Sequence, residues 1–296
     1  MTSYNFADAT SRFVDVGHSD VAVRQLGRGP DLVLVHGWPL HGATYRDLVP
    51  HLAEHFTCHI VDLPGAGLTR CRDPRAIELG RHAGTVGATI DALGIERYAL
   101  FGHDSGAMIT RLVAHHHGER VVASVMCNTE IPGHVPWQLL LYKAASALPL
   151  GDRVFRMLLR NRWFRGTSAA FGACFEDMQL LDGDFGDLFI QPLLHDEAAL
   201  DGAMALIRNF DEDVMKGLSR IHREMKAPSL LIWGADDPFF PLSKAEQMLP
   251  QFTAGAEIEI LRPGKLFVHE ERPTDVARLT IPFVERSFRR PEVVAA

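Results

Sequence analysis

The chain has 296 residues, 47% of them hydrophobic, with a mean hydropathy of zero and a formal net charge of −7. That length and apolar content suit one large domain, or a core domain carrying an insertion. The acidic balance excludes nucleic acid and an anionic membrane as partners drawn by bulk charge, and points to a small, neutral ligand.

The stretch Met1 to Asp8 lacks the basic and apolar regions of a signal peptide, and no apolar run approaches the ~18 residues of a membrane span. A cytoplasmic protein is expected. Cys58, Cys71, Cys127 and Cys174 form no C-x-x-C pair, so they read as reduced packing residues, with neither metal nor cofactor implied.

In chain order, residues 12–26 alternate and break at Gly17-His18-Ser19-Asp20, which predicts a β-hairpin. Leu32 to Val35 is a continuous apolar run, as expected of a strand buried on both faces, and it ends in His36-Gly37-Trp38-Pro39. A helix is predicted over 43–55 and a strand over Cys58 to Val61. The next loop, Asp62-Leu63-Pro64-Gly65-Ala66-Gly67, is not a dinucleotide fingerprint, because Arg70 stands where the third glycine would be. Residues 75–94 predict an amphipathic helix closed by Gly94.

Residues 98–107, Tyr-Ala-Leu-Phe-Gly-His-Asp-Ser-Gly-Ala, organise the remainder. An apolar strand enters, Gly102-His103-Asp104-Ser105-Gly106 turns, and a helix leaves. Strand and helix backbones cross closely at such a turn, so small residues are needed two positions either side of the apex. Gly102 and Gly106 meet that demand with Asp104 at the apex; with Ser105 at the apex, His103 would fall where a small residue belongs. An ordinary Asp helix cap accounts for neither glycine.

The elbow helix ends in His115-His116-His117, whose side chains point about 100° apart and do not converge on a metal ion. Val121 to Met126 is a further buried strand. Residues 136–147, 152–162, 168–181, 185–195 and 197–222 have helical patterning, and strands resume at Ser229–Trp233 and Ile258–Leu261 before a helix from Pro273 to Arg286. Alternating strands and helices on both sides of the helical block imply an α/β fold with a mostly parallel, doubly wound sheet.

The elbow around Asp104, the H-G-x-P loop at His36–Pro39 and the D-x-P-G-x-G loop at Asp62–Gly67 resemble the α/β-hydrolase superfamily, in its aspartate-nucleophile branch of epoxide hydrolases and haloalkane and haloacetate dehalogenases. The resemblance implies an eight-stranded core formed by residues 1–131 and 227–296, with a helical cap, or lid, over 132–226. It also implies an oxyanion hole from the main-chain N–H groups of Trp38 and Ser105, and a bond before Pro39 that is compatible with cis.

An aspartate attacking an acyl carbon would give an unstable anhydride, whereas attack on saturated carbon gives an ester that water can cleave. Cleavage requires a general base held by an acid. In the family's register the acid is Asp237, within Gly234-Ala235-Asp236-Asp237-Pro238; Asn128 and Glu130 mark the alternative place after the sixth strand. The family pattern G-H-F-x-x-E is broken here. Lys265 or Leu266 stands where the histidine belongs, leaving His269 as base or no base at all.

For the leaving group, the resemblance points to the cap tyrosine Tyr142, with Asn209-Phe210 where a second tyrosine would be. Trp38, Trp137 and His134 are further candidates, although cap packing is the commoner role for such aromatics. The expected activity is hydrolysis of a small apolar epoxide, ahead of an alkyl halide, by a monomer or homodimer. The missing G-H dipeptide keeps a ligand-binding or non-hydrolytic pathway protein on the same fold as the alternative.

Overall fold

The computed structural model describes residues 4–290; the first three residues of the segment read above for a signal peptide lie outside that range. Nine strands form one sheet: β1 Ser11–Asp15, β2 Ser19–Leu26, β3 Asp31–Val35, β4 Thr57–Val61, β5 Arg70–Cys71, β6 Tyr98–His103, β7 Val121–Cys127, β8 Ser229–Gly234 and β9 Ala256–Leu261. Their order is β1-β2-β4-β3-β6-β7-β8-β9, with the two-residue β5 added beside β2. The β1–β2 hairpin and the β2–β4 pair are antiparallel. From β4 to β9 every pairing is parallel. Thus β3, β6 and β7 are central, and all their residues are buried except Asp31 at the start of β3. A strand covered by helices on both faces has no polar side to alternate with.

The helices are α1 Val49–Leu52, α2 Leu79–Ala92, α3 Ser105–His117, α4 Trp137–Ser146, α5 Gly151–Arg160, α6 Arg162–Arg165, α7 Gln179–Asp182, α8 Gln191–His195, α9 Glu197–Arg208, α10 Glu212–Glu224, α11 Leu242–Met248, α12 Val268–Glu271 and α13 Pro273–Phe288. Between β7 and β8 there is no strand, and the regular elements are helices and helical turns, from α4 to α10.

Two predicted helices are broken. Over 43–55 there is a single 3₁₀ turn at Gly42–Tyr45 and the four-residue α1, because Pro50 can only sit in a first helical turn. The stretch 197–222 divides into α9 and α10, because the Asp211 side chain accepts from the Asp213 N–H and starts a new helix. Residues 168–181 hold only a 3₁₀ turn at Phe171–Ala173 and the short α7. The histidine triplet diverges as helical geometry requires, His117 meeting the Tyr98 hydroxyl at 2.8 Å and His115 lying 3.5 Å from Glu224.

Candidate active site

Asp104 links β6 to α3 with φ 51° and ψ −135°, a conformation that L-residues rarely adopt. Close packing of the β6 and α3 backbones on each other and of α3 on the end of β3 holds it there. A Cβ on Gly102 would lie 2.5 Å from the Ala107 Cα, and one on Gly106 would lie 2.2 Å from the Val35 carbonyl oxygen. Both obstacles are backbone and cannot rotate away. Gly106→Ala is therefore expected to destabilise the fold by roughly 3 kcal/mol or more, as overpacking does, measured by denaturant unfolding. A variant as stable as the native chain would show that the crossing is not tight.

The strained turn aims the Asp104 carboxyl at the C-terminal edge of the sheet. The Trp38 N–H, at the end of β3, donates to Asp104 Oδ2 at 3.1 Å and to Ser105 Oγ at 3.0 Å. The Ser105 hydroxyl lies 3.4 Å from the same carboxylate oxygen. The bond before Pro39 is cis. Above this group lies a cavity of about 100 Å³ whose walls are almost wholly apolar, among them Leu139, Phe155, Phe171, Phe210 and Phe239. Asp104, Ser105 and Glu130 supply its charged and hydroxyl chemistry, together with Tyr142 and Cys174. A larger cleft beside Asp62 contains neither Asp104 nor Ser105.

Burial pushes the Asp104 carboxyl well above the ordinary carboxylate range, and the Glu130 carboxylate pushes it further. The main-chain N–H groups of Ser105 and Trp38 pull the other way. Glu130 is itself raised by burial, against the pull of Arg111. Arg111 sits fully buried on α3: it donates to the Glu130 carbonyl at 3.0 Å and to Thr129 Oγ1 at 2.7 Å, with Glu130 Oε2 3.6 Å away. Thr129 Oγ1 is also 2.8 Å from Glu130 Oε2. A buried Arg–Glu pair thus stands behind Asp104. The sequence carried a signal for it, since an arginine interrupts the apolar face formed by Ala107, Met108 and Leu112 in the elbow helix.

The other expected partners are placed differently. Asp237 is buried, but Asn128 Nδ2 donates to its Oδ2 at 2.6 Å, and the Phe239 and Phe240 N–H groups donate to its Oδ1 at 2.7 and 3.2 Å. These bonds shape the loop that puts Phe239 and Phe240 in the cavity wall. Burial raises the Asp237 carboxyl to about 7 against the pull of those donors. Asn128, at φ 31°, also accepts from the Gly234 N–H at 2.9 Å and so ties the ends of β7 and β8 together.

His269 does not reach either aspartate. Its Nε2 meets Thr44 Oγ1 at 2.7 Å, and that hydroxyl donates to Glu270 Oε1 at 2.6 Å, so Nε2 carries the ring proton. Arg46 closes the chain of bonds on Glu270 Oε2 at 2.7 Å. The His269 ring is fully buried against His103, centroids 4.0 Å apart, and burial holds it neutral, its pKa well below the usual value. It lies in the one-turn α12 and is not part of the cavity wall. The cavity is instead lined by Leu266 and Phe267, with the Leu266 carbonyl held by His103 Nε2 at 3.0 Å.

The leaving-group candidates are likewise occupied or remote. Tyr142 lines the cavity, but its hydroxyl donates to the Ala169 carbonyl. The Trp38 indole donates to the Ala203 carbonyl at 2.8 Å, pinning the β3 loop to α9. His134 lies outside the cavity wall between the Phe239 carbonyl and Lys244, 2.8 Å from each. Trp137 faces solvent, 53% exposed. Phe210 does line the cavity, as apolar wall.

A family model for the α/β-hydrolase fold matches residues 30–273, and the chain belongs to that family. Within it, haloalkane dehalogenase 2 of Mycobacterium tuberculosis is 27% identical over 282 residues, covering 92% of this chain and 93% of that protein. A pimeloyl-[acyl-carrier protein] methyl ester esterase of Aeromonas hydrophila is 36% identical over 124 residues, 39% of this chain and 47% of the esterase. Among solved structures, an ancestral haloalkane dehalogenase superposes with a TM-score of 0.76 at 18% identity, covering 94% of this chain and all of that one. A thermophilic esterase from Thermogutta terrifontis gives 0.73 at 18% identity, covering 95% and 99%. The full-length relative is a dehalogenase, which agrees better with the alternative expected from sequence than with the epoxide hydrolase placed first.

Proposed function

We propose that this chain is a dehalogenase-like hydrolase in which Asp104 displaces halide from a short, apolar alkyl halide beneath a cap formed by residues 132–226. The observation that carries the reading is a carboxyl group at a strained apex, set into a small apolar cavity with a main-chain N–H on its Oδ2. One carboxylate oxygen attacks the carbon, the carbon–halogen bond breaks with its electron pair, and an alkyl ester of Asp104 remains. Water attack on the ester carbonyl would place negative charge between the N–H groups of Trp38 and Ser105.

That second step needs a proton acceptor. Leu266 fills the place of a histidine, and the carboxylate of Glu130 is engaged by Thr129 and Arg111. Ester formation should outrun ester release. Short primary bromides and iodides are expected to give one equivalent of halide and a protein heavier by the alkyl group, mapped to Asp104 by peptide mass spectrometry. Neither adduct nor halide from any member of the series would sink the reading. An adduct formed only with epoxides would restore the epoxide assignment.

Ester formation requires ionised Asp104, so its rate should rise with pH through the raised Asp104 pKa. Glu130→Gln removes the nearer negative charge and should move the midpoint of this profile to lower pH, read from halide release in buffers of increasing pH. An unmoved midpoint would show that Glu130 does not tune Asp104. Leu266 also supports a second reading, a ligand-binding role on this fold, for which Asp104→Ala would leave the affinity for an apolar ligand unchanged.

A further inference from the structure

The outer face of α4, α5 and α6 is apolar where solvent should meet polar side chains. Of the eleven exposed large apolar side chains among the described residues, eight lie between Trp137 and Trp163, so they form one surface rather than the usual scatter. Leu148, Leu150, Met157 and Trp163 are each more than 60% exposed. Leu139 and Tyr142 of α4, and Phe155 and Leu159 of α5, line the cavity, while Leu140 and Leu141 make the outer face of α4 apolar too, and Val154 and Met157 stand among arginines on the outer face of α5. A helix apolar on both faces, as α4 is, is normally covered on both sides.

The charge of this segment identifies what covers it. Residues 137–166 hold six basic side chains (Lys143, Arg153, Arg156, Arg160, Arg162 and Arg165) against one acidic, Asp152; Lys143 pairs with Glu212, Arg156 with Glu197, and Arg162 and Arg165 with Asp182, which leaves Arg153 and Arg160 as the free cations of the patch among the described residues. Helical spacing puts Arg153, Met157 and Arg160 on one side of α5, opposite Phe155 and Leu159. Arg153 and Arg160 have no carboxylate within 4.0 Å among the described residues. Arginines flanking an apolar strip with a tryptophan at each end match a bilayer interface, where the rings sit at headgroup level and the guanidinium groups meet lipid phosphates.

We propose that the α4–α6 face docks on the surface of an anionic bilayer, lying in the headgroup region. No helix among the described residues is long and apolar enough to cross a membrane, so the association is peripheral. The expectation drawn from net charge fails here because charge acts over about a Debye length, roughly 8–10 Å, and a patch is felt before an average. A second copy is a poorer occupant, since a two-fold contact would set the same arginines against each other. The inference does not rest on the chemistry of Asp104.

The test is co-sedimentation of the full chain with vesicles of phosphatidylcholine containing phosphatidylglycerol, beside vesicles of phosphatidylcholine alone. The native chain should pellet with the anionic vesicles and be released by salt. Arg153→Glu/Arg160→Glu and Met157→Ser/Trp163→Ser should each lower the bound fraction about tenfold or more, with circular dichroism unchanged. Absence of binding to anionic vesicles, or binding that neither variant reduces, would overturn the proposal. So would a concentration-dependent dimer, seen by sedimentation velocity, that the same substitutions dissociate while lipid binding persists.

Discussion

Leu266→His is expected to release the Asp104 ester about 10²–10⁴ times faster than the native chain, the usual contribution of a positioned general base. The reason lies in what surrounds position 266. Its side chain already lines the cavity that holds Asp104, and its carbonyl is fixed by His103, so a replacement side chain starts from a defined backbone. The buried carboxyl of Asp237 lies on the neighbouring loop after β8. Leucine and histidine are close in volume, so the swap demands a polar partner for the imidazole more than it demands space. The measurement is a pulse of alkyl halide followed by the decay of the mass adduct and the appearance of alcohol. Ester formation should change little, because the base acts only afterwards. If the adduct forms equally in both proteins and persists equally in both, the missing base is not what limits turnover.

Asp104→Asn should abolish the adduct and halide release completely, since the amide is not a nucleophile toward saturated carbon. The fold should survive, because asparagine is among the residues that best tolerate positive φ. The same substitution has a stability signature with a definite sign. Burial raises the folded-state pKa of Asp104, so the native chain binds this proton more tightly than the unfolded chain does. The resulting stability is present below the unfolded carboxylate pKa and is lost as pH rises through the folded one. The amide suffers no such loss. The melting temperature of Asp104→Asn minus that of the native chain should therefore grow from acidic to mildly alkaline pH. A difference that is flat or shrinks with pH would mean that the Asp104 carboxyl is not held in its neutral form by the cavity.

The acidic groups around the site are coupled through one cation. Arg111 is buried with Glu130, and the charge on Glu130 is the largest ionic influence on Asp104. Removing Arg111 would leave an uncompensated buried carboxylate beside Asp104, which is costly in a dry interior. The pair therefore belongs to the electrostatic setting of Asp104 although neither partner's role was visible from motif spacing.

Local steric demands and burial periodicity were legible in the sequence. The glycines at 102 and 106 mark Asp104, not Ser105, as the apex, because backbone leaves no room for a Cβ at either place: that of Ala107 at 102 and that of Val35 at 106. The strands at 32–35, 58–61, 121–126 and 229–233 were legible because a strand buried on both faces is apolar at nearly every position, with no polar alternation. The partners of His269, Asp237, Tyr142 and the Trp38 indole were decided only in three dimensions. Each has donors or acceptors that look catalytic in sequence, and each spends them on a group distant along the chain: Thr44, Asn128, Ala169 and Ala203 respectively. A hydrogen bond is satisfied by whichever partner folding brings within about 3 Å, and one-dimensional spacing carries no record of that choice.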